Sequence, residues 1–471
     1  MRTLNQIAAR LEAWEPSRAL VDRCLHGIAE ASGEGQRTYL KVYGEAARAS
    51  ADAYDAQRRS GATPSRFAGI PVSIKDLFDV AGDVTTAGSM ALRHAPPAAR
   101  DAAAVARLRV AGFVPIGRTN MTEFAFSGLG INPHYDTPRN PYDRKTGRIP
   151  GGSSSGAAVS VTDGMACAAL GTDTGGSCRI PAALCGIAGF KPTAKRVPKD
   201  GVMPLSQTLD SVGVLAPSVA CCATIDAVLA GEAAGELPPF PLDGLRLAIP
   251  QTLVLDGLDD HVSRALAAAL TALGCAGVRI VDLALPELGE LAQVNAKGGF
   301  AAAEGYAVHR PLIKVKRKEY DPFVLTRLER GKEQDAADYI ELMWERERMI
   351  LRLNAATAPF DALLMPTVPV IAPTFRELEA PDAARAANLL LLRNTAIANF
   401  FDRCAVSIPC HKAGEAPVGL MLVGETGADR RLLTIASAIE QLVAPSLSVA
   451  SEAAADAARP DLSHKPIRMR N

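Results

Sequence analysis

The sequence has no excess of charge of either sign: 51 Lys and Arg balance 51 Asp and Glu over 471 residues. No overall field therefore draws the chain to nucleic acid or to an acidic membrane. It has no uninterrupted apolar run of the ~18 residues that a membrane-spanning helix needs. Its nine cysteines (24, 167, 178, 185, 221, 222, 275, 404 and 410) are odd in number and contain no C-x-x-C pair. Zinc and dithiol motifs are thus excluded, and buried reduced thiols are expected. Internal repeats are lacking, and no linker cuts the chain convincingly. Met1–Glu15, with Arg2, Arg10, Glu12 and Glu15, has a helical pattern rather than that of a signal peptide, so a cytoplasmic location is expected.

What is present is a composition suited to one large core, 48% hydrophobic and 22% charged. Residues 1–60 read as a helical segment packed on the core. GIPVSIKD, ending in Lys75-Asp76, reads as a short buried strand. Asp101–Val110 reads as a helix capped by Asp101, and 132–148 as a long ordered loop. From Leu245 onward, strands at 245–249 and 278–283 flank an amphipathic helix through Val262, Leu266, Leu270 and Leu273. Further strands are expected at 361–366, 405–409 and 418–423, with a closing helix at 430–443. This alternation implies an α/β fold with a largely parallel sheet. Residues 61–450 are expected to form a single domain, with a helical, pocket-covering region at about 290–355 and a loose tail at 451–471.

The chemistry is concentrated in PGGSSSGAAVSVTDGMACAALGTDTGGSCR, residues 150–179. Two small-residue loops, at 151–156 and 172–177, each present a hydroxyl where backbone N–H groups can approach a bound group. In GTDTGGS, glycines before Ser177 let consecutive amides turn toward one point, the requirement for an oxyanion hole built without side chains. A nucleophile elbow at Gly152-Ser-Ser154-Ser-Gly156 is disfavoured, because GRIPG rather than a buried strand precedes it. His411 and His464, downstream of it, have no helpful context. Lys75 at a strand end is a better base, since desolvation lowers an amine's pKa. Read alone it would be an ion-pair partner of Asp76; beside the two serine loops it becomes the third part of a site.

These residues resemble the amidase signature family of serine hydrolases. GIPVSIKD is similar to its lysine motif, GGSSSG to its cis-serine loop and GTDTGGSCRIPAALCGIAGFKPT to its nucleophile motif. GRTNMTEFAFS, LDSVGVLAPS and PVGLMLVG also resemble family segments, and the likeness runs from about Phe67 to Val443. It implies the amidase-signature fold, a large mixed, mostly parallel central sheet flanked by helices on both faces. It further implies a Ser–cis-Ser–Lys group: Ser177 as nucleophile, Ser153, twenty-four residues earlier, as proton relay behind a cis Gly152–Ser153 peptide, and neutral Lys75 as base. Thr174, Gly175 and Gly176 would form the oxyanion hole, and Phe126, Ser127 and Gly152 would contact substrate. No metal or organic cofactor is implied.

The expected activity is hydrolysis of a small carboxamide to carboxylate plus ammonia or amine, through an acyl-enzyme on Ser177. Alternatives are the glutamine-hydrolysing component of a tRNA-dependent amidotransferase, an allophanate- or biuret-type carbamoyl-amide hydrolase, and a silent scaffold with the amidase fold. NFFDRCAVSIPC departs from the segment usual in the amidotransferase component, and intact Lys75, Ser153 and Ser177 argue against the scaffold. Ser155 and Cys178 depart from the family pattern, and Cys178 is read as packing. Arg310, Lys314, Lys316, Arg317 and Lys318 read as a solvated helix face. Asp173 and Arg179 are expected to hold the nucleophile loop in shape, and Tyr306, His309 and Trp344 lie in the region that would roof the pocket. The partner is a small-molecule amide, with no nucleic acid and no membrane, and a homodimer is the default assembly.

Overall fold

The computed structural model describes residues 1–444, so the expected tail at 451–471 lies outside the described residues. Among the described residues, eleven strands form one sheet: β1 (Tyr39–Val42), β2 (Pro71–Lys75), β3 (Val114–Thr119), β4 (Ala168–Asp173), β5 (Ala188–Lys191), β6 (Ser211–Ala216), β7 (Arg246–Pro250), β8 (Arg279–Leu283), β9 (Ala362–Pro366), β10 (Ala405–Pro409) and β11 (Gly419–Val423). Their order is β1-β3-β2-β4-β6-β5-β10-β11-β9-β7-β8, with helices flanking the sheet. The sheet is mixed, as expected, but parallel pairing is the minority. Four pairings are parallel and six antiparallel. Two parallel blocks, β3-β2-β4 and β9-β7-β8, are joined through antiparallel β6, β5, β10 and β11. The strand–helix–strand pattern reports the blocks and says nothing of the joint.

Strands β2 and β4 position the site. Every residue of each is buried, which is why both read as short, nearly continuous apolar or small-residue runs. They are parallel, with Ile74 level with Leu170, so Lys75 and Asp173 leave the sheet on the same side. Ligand sites in α/β sheets lie at such carboxyl ends.

Three local departures have physical causes. The 1–60 segment contains helices Leu4–Glu12, Ser17–Ala29, Gly35–Thr38 and Gly44–Arg59, but also the edge strand β1. Tyr39 and Val42 are drawn into the ladder by β3, facing Thr119 and Gly117. Asp101 does not cap the helix Ala103–Val110; its carboxylate instead accepts the Ala81 amide at 2.8 Å. Finally, a twenty-residue helix, Pro381–Phe400, was not anticipated from the pattern. It carries Pro at its first position, a favourable start. However, its polar residues Asn388, Thr395 and Asn399 are buried and break its amphipathic period.

Candidate active site

Lys75, the last residue of β2, is wholly buried, and its Nζ donates to Ser153 Oγ at 2.7 Å and to Thr172 Oγ1 at 2.8 Å. Asp76 does not pair with it, because Arg118 takes the Asp76 carboxylate at 2.5 Å. Burial drives the Lys75 ammonium down to about 8, against the opposing pull of Cys178, Asp173 and Asp210. The neutral amine is therefore a minor form at pH 7, about a tenth of the population, and becomes the major form above about pH 8.

The Gly152–Ser153 peptide bond is cis. Ser153 is held from its other side by the Thr122 amide on its carbonyl at 3.1 Å, and the Ser154 amide donates to the Ser177 carbonyl at 3.3 Å. The two serine loops are thus joined directly, with Lys75 beneath them. Ser154 leads into the helix Ser155–Thr162 and its hydroxyl faces the Thr172 carbonyl. His411 lies elsewhere, against Gly186, and so forms no elbow-type triad with Ser154; His464 is outside the described residues.

The Ser177 loop is shaped by Asp173. Its carboxylate accepts the amides of Gly176 at 2.9 Å and Cys178 at 3.1 Å, and pairs with Arg179 at 2.8 Å, both partners fully buried. Burial would raise this carboxyl, but Arg179 and then Lys191 hold it at about 2. Arg179 also donates to Asn399 Oδ1 at 2.7 Å and to the Thr395 carbonyl at 2.8 Å, and the Thr395 hydroxyl donates to the Gly175 carbonyl at 2.6 Å. One face of the helix Pro381–Phe400 therefore backs the loop. At Gly176, φ is +139° and an added Cβ would sit 2.2 Å from Thr395 Oγ1, so only glycine fits. The Gly176 amide is spent on Asp173, which removes it from the expected oxyanion donors. Among the described residues, no chain acceptor engages the amides of Thr174, Gly175 or Ser177. Cys178, fully buried with its thiol pushed up by burial, packs against Gly171 and Gly213.

The expected substrate-contact residues divide. Ser127 Oγ donates to Asn388 Oδ1 at 2.9 Å and accepts the Leu129 amide at 3.1 Å, so its hydroxyl is fully employed in holding the loop. Gly152 donates to the Gly128 carbonyl at 2.8 Å and allows the close approach of Gly130. Phe126 is different: the Arg327 guanidinium lies 4.5 Å from its ring centroid, and Arg327 Nε donates to its carbonyl at 3.0 Å. Arg327 comes from the helix Pro322–Glu329, whose N-cap Asp321 is tied by its amide to the buried Glu123 carboxylate at 2.7 Å. Burial, then Arg330, lowers Arg327 to about 10, and among the described residues no carboxylate pairs with it. Nothing in VLTRLERG marks this arginine, because its isolation from acids is a property of the fold. Of the residues expected to roof the pocket, His309 is buried against Phe124 and Tyr320, and Lys332 lies over the Tyr306 ring. Trp344 is 60% exposed and lines a surface cleft with Glu290, Lys297 and Arg348.

No helix among the described residues is long and apolar enough to cross a membrane, and no cluster of three or more His, Cys, Asp or Glu is arranged to hold a metal.

Comparison with known proteins identifies the family. A family model described as Amidase matches residues 19–433. The 2-amino-5-chloromuconic acid deaminase of Comamonas testosteroni is 38% identical over 451 residues, 94% of this chain and 96% of that protein. The A-type component of the glutamyl-tRNA(Gln) amidotransferase of Roseiflexus sp. (strain RS-1) is 33% identical over 441 residues, 86% of this chain and 89% of that protein. A crystal structure of an amidase superposes with a TM-score of 0.85 at 32% identity, covering 94% of this chain and all of that one.

Proposed function

The chain belongs to the amidase family and hydrolyses amide C–N bonds, and within that chemistry we propose that it acts through an acyl-enzyme on Ser177 with Ser153 and Lys75 as its proton relay. The observation that carries this reading is the 2.7 Å Lys75–Ser153 hydrogen bond beneath the Ser177 loop, made by a buried amine held at about 8. Neutral Lys75 takes the Ser153 proton as Ser153 takes that of Ser177, whose oxygen attacks the carbonyl. The oxyanion then faces the amides of Thr174, Gly175 and Ser177. Ser153 returns a proton to the leaving nitrogen, and water releases the acyl group by the same relay. Phe126 walls the acyl side; Ser127, Gly152 and Gly176 shape the site without touching substrate.

The acyl part of the substrate carries a carboxylate. A guanidinium that is shielded, stacked on Phe126 and without an acidic partner is a site for a planar anion. The deaminase relative, which acts on an acid, supports the same polarity and favours one second reading, release of ammonia from an amino-substituted acid at this site. A role as an amidotransferase component is less well supported, as residues 399–410 depart from the segment usual there. The enzyme is proposed to work in the cytoplasm as a homodimer.

The test is ammonia release by the purified chain from paired neutral and carboxylate-bearing amides, glutamine and amino-substituted unsaturated acids, beside Ser177→Ala and Lys75→Ala. Turnover of the acidic substrates, lost in both variants, supports the reading. Glutamine turnover only when partner proteins are added supports the amidotransferase, and turnover retained in Ser177→Ala refutes the mechanism.

A further inference from the structure

The LDSVGVLAPS segment contains a buried acid to which the mechanism above assigns no role. Asp210, 8% exposed, ends the strap that runs from 199 to the start of β6. Its Oδ2 accepts the amides of Leu205 and Ser206, each at 3.0 Å, so the strap's own backbone fixes the carboxylate. Its Oδ1 accepts one side chain, the Thr174 hydroxyl, at 2.5 Å. The nucleophile loop is therefore held by two carboxylates, Asp173 from within and Asp210 from the strap. Asp210 and Thr172 also line one cavity of about 40 Å³, and Thr172 is the residue to which Lys75 donates.

We propose that Asp210 is a positioning residue of the reaction, one that fixes the oxyanion loop through the Thr174 hydroxyl and places its negative charge across a small cavity from Thr172, the residue to which Lys75 donates. The inference rests on the roles given above to Lys75 and to the loop amides. Oxyanion donors act only when held where charge will develop, and a loop of small residues has no packing of its own to hold it there. The strap is itself anchored: the Ser206 and Thr208 hydroxyls donate to Glu304, at 2.5 Å each, and Tyr339 adds a third at 2.6 Å.

The electrostatic part has a direction. The ionisable groups that act on Lys75 are Cys178, Asp173 and Asp210, all of which favour its charged form against burial. Asp173 is already committed to Arg179, with Lys191 beyond it, and Lys199 caps the main-chain carbonyl of Asp210 at 3.2 Å. Neutralising Asp210 removes one stabilising charge, so Lys75 would give up its proton at lower pH.

The experiment is the pH profile of kcat and KM for Asp210→Asn, Thr174→Val and Thr174→Ser, run beside Ser177→Ala and Lys75→Ala. Asp210→Asn and Thr174→Val should each lower kcat by about 10- to 100-fold, as expected of a slightly misplaced loop, with KM changed less than about threefold. Thr174→Ser, which keeps the hydroxyl, should recover most of the kcat lost in Thr174→Val. Only Asp210→Asn should move the alkaline-rising limb to lower pH. Should Asp210→Asn fail to fold, wild-type kcat in Thr174→Val overturns the proposal. An unmoved limb in Asp210→Asn also overturns it, since a merely structural acid would lower activity equally at every pH. Activity retained in Ser177→Ala or Lys75→Ala would instead refute the mechanism on which the inference stands.

Discussion

Lys75 Nζ donates to Ser153 Oγ over 2.7 Å, with both side chains at 0% exposure. A charged ammonium would be poorly solvated there, so burial lowers it to about 8. On the proposed mechanism Lys75 acts as a neutral base, so kcat/KM is expected to rise with pH and to level off above about 8. Lys75→Ala should cost about 10²- to 10⁴-fold in kcat, the usual share of a positioned proton-transfer group. A flat profile between pH 6 and 9 would contradict the assignment.

Arg327 makes a separable prediction about affinity. Arg327→Gln should raise KM for carboxylate-bearing amides by about 10- to 100-fold, the worth of roughly 1.5–3 kcal/mol for a charged hydrogen bond. KM for a neutral amide of the same shape should stay nearly unchanged. Equal losses on both substrates would mean that Arg327 only supports Phe126.

The Asp173–Arg179 pair tests what holds the Ser177 loop. Arg179→Met would strand a buried carboxylate and should lower unfolding stability by about 3–5 kcal/mol in urea titration. Asp173, held at about 2 against an ordinary 3.8, contributes stability that is complete above its unfolded value and is lost as pH falls through the folded one. Wild type should therefore lose stability on acidification below about pH 4, and Arg179→Met should lose less over that range.

Thiol chemistry provides a control on the packing. Eight of the nine free cysteines are buried and Cys275 is exposed. Titration of the native protein with an aromatic disulfide reagent should modify one thiol quickly and leave activity intact. Rapid modification of Cys178 with loss of activity would show that the core beside Ser177 is open.

The parts of the site that were legible in the sequence are those made by consecutive residues. Lys75 at the end of a buried strand, and the two loops around Ser153 and Ser177, follow from local spacing and small-residue chemistry. What supports them comes from far along the chain and leaves no local trace. Asn388, Thr395 and Asn399 look like polar interruptions of an apolar helix until Ser127, Gly175 and Asp173 are found to be their partners. Gly176 reads as an oxyanion donor until the Asp173 carboxylate is found on its amide. The sheet shows the same limit: β7 and β8 were readable as a strand–helix–strand unit, whereas the antiparallel joint is made by pairings such as Ala405 with Lys191.

The most direct test of the central claim is intact-mass and peptide-mass analysis after reaction with a fluorophosphonate and, separately, after rapid quenching with a substrate amide. The account predicts one adduct, on the peptide bearing Ser177, absent in Ser177→Ala and much slower to form in Lys75→Ala. Turnover of the amide with no adduct at Ser177, or an adduct on Cys178 or Ser154 instead, would contradict it.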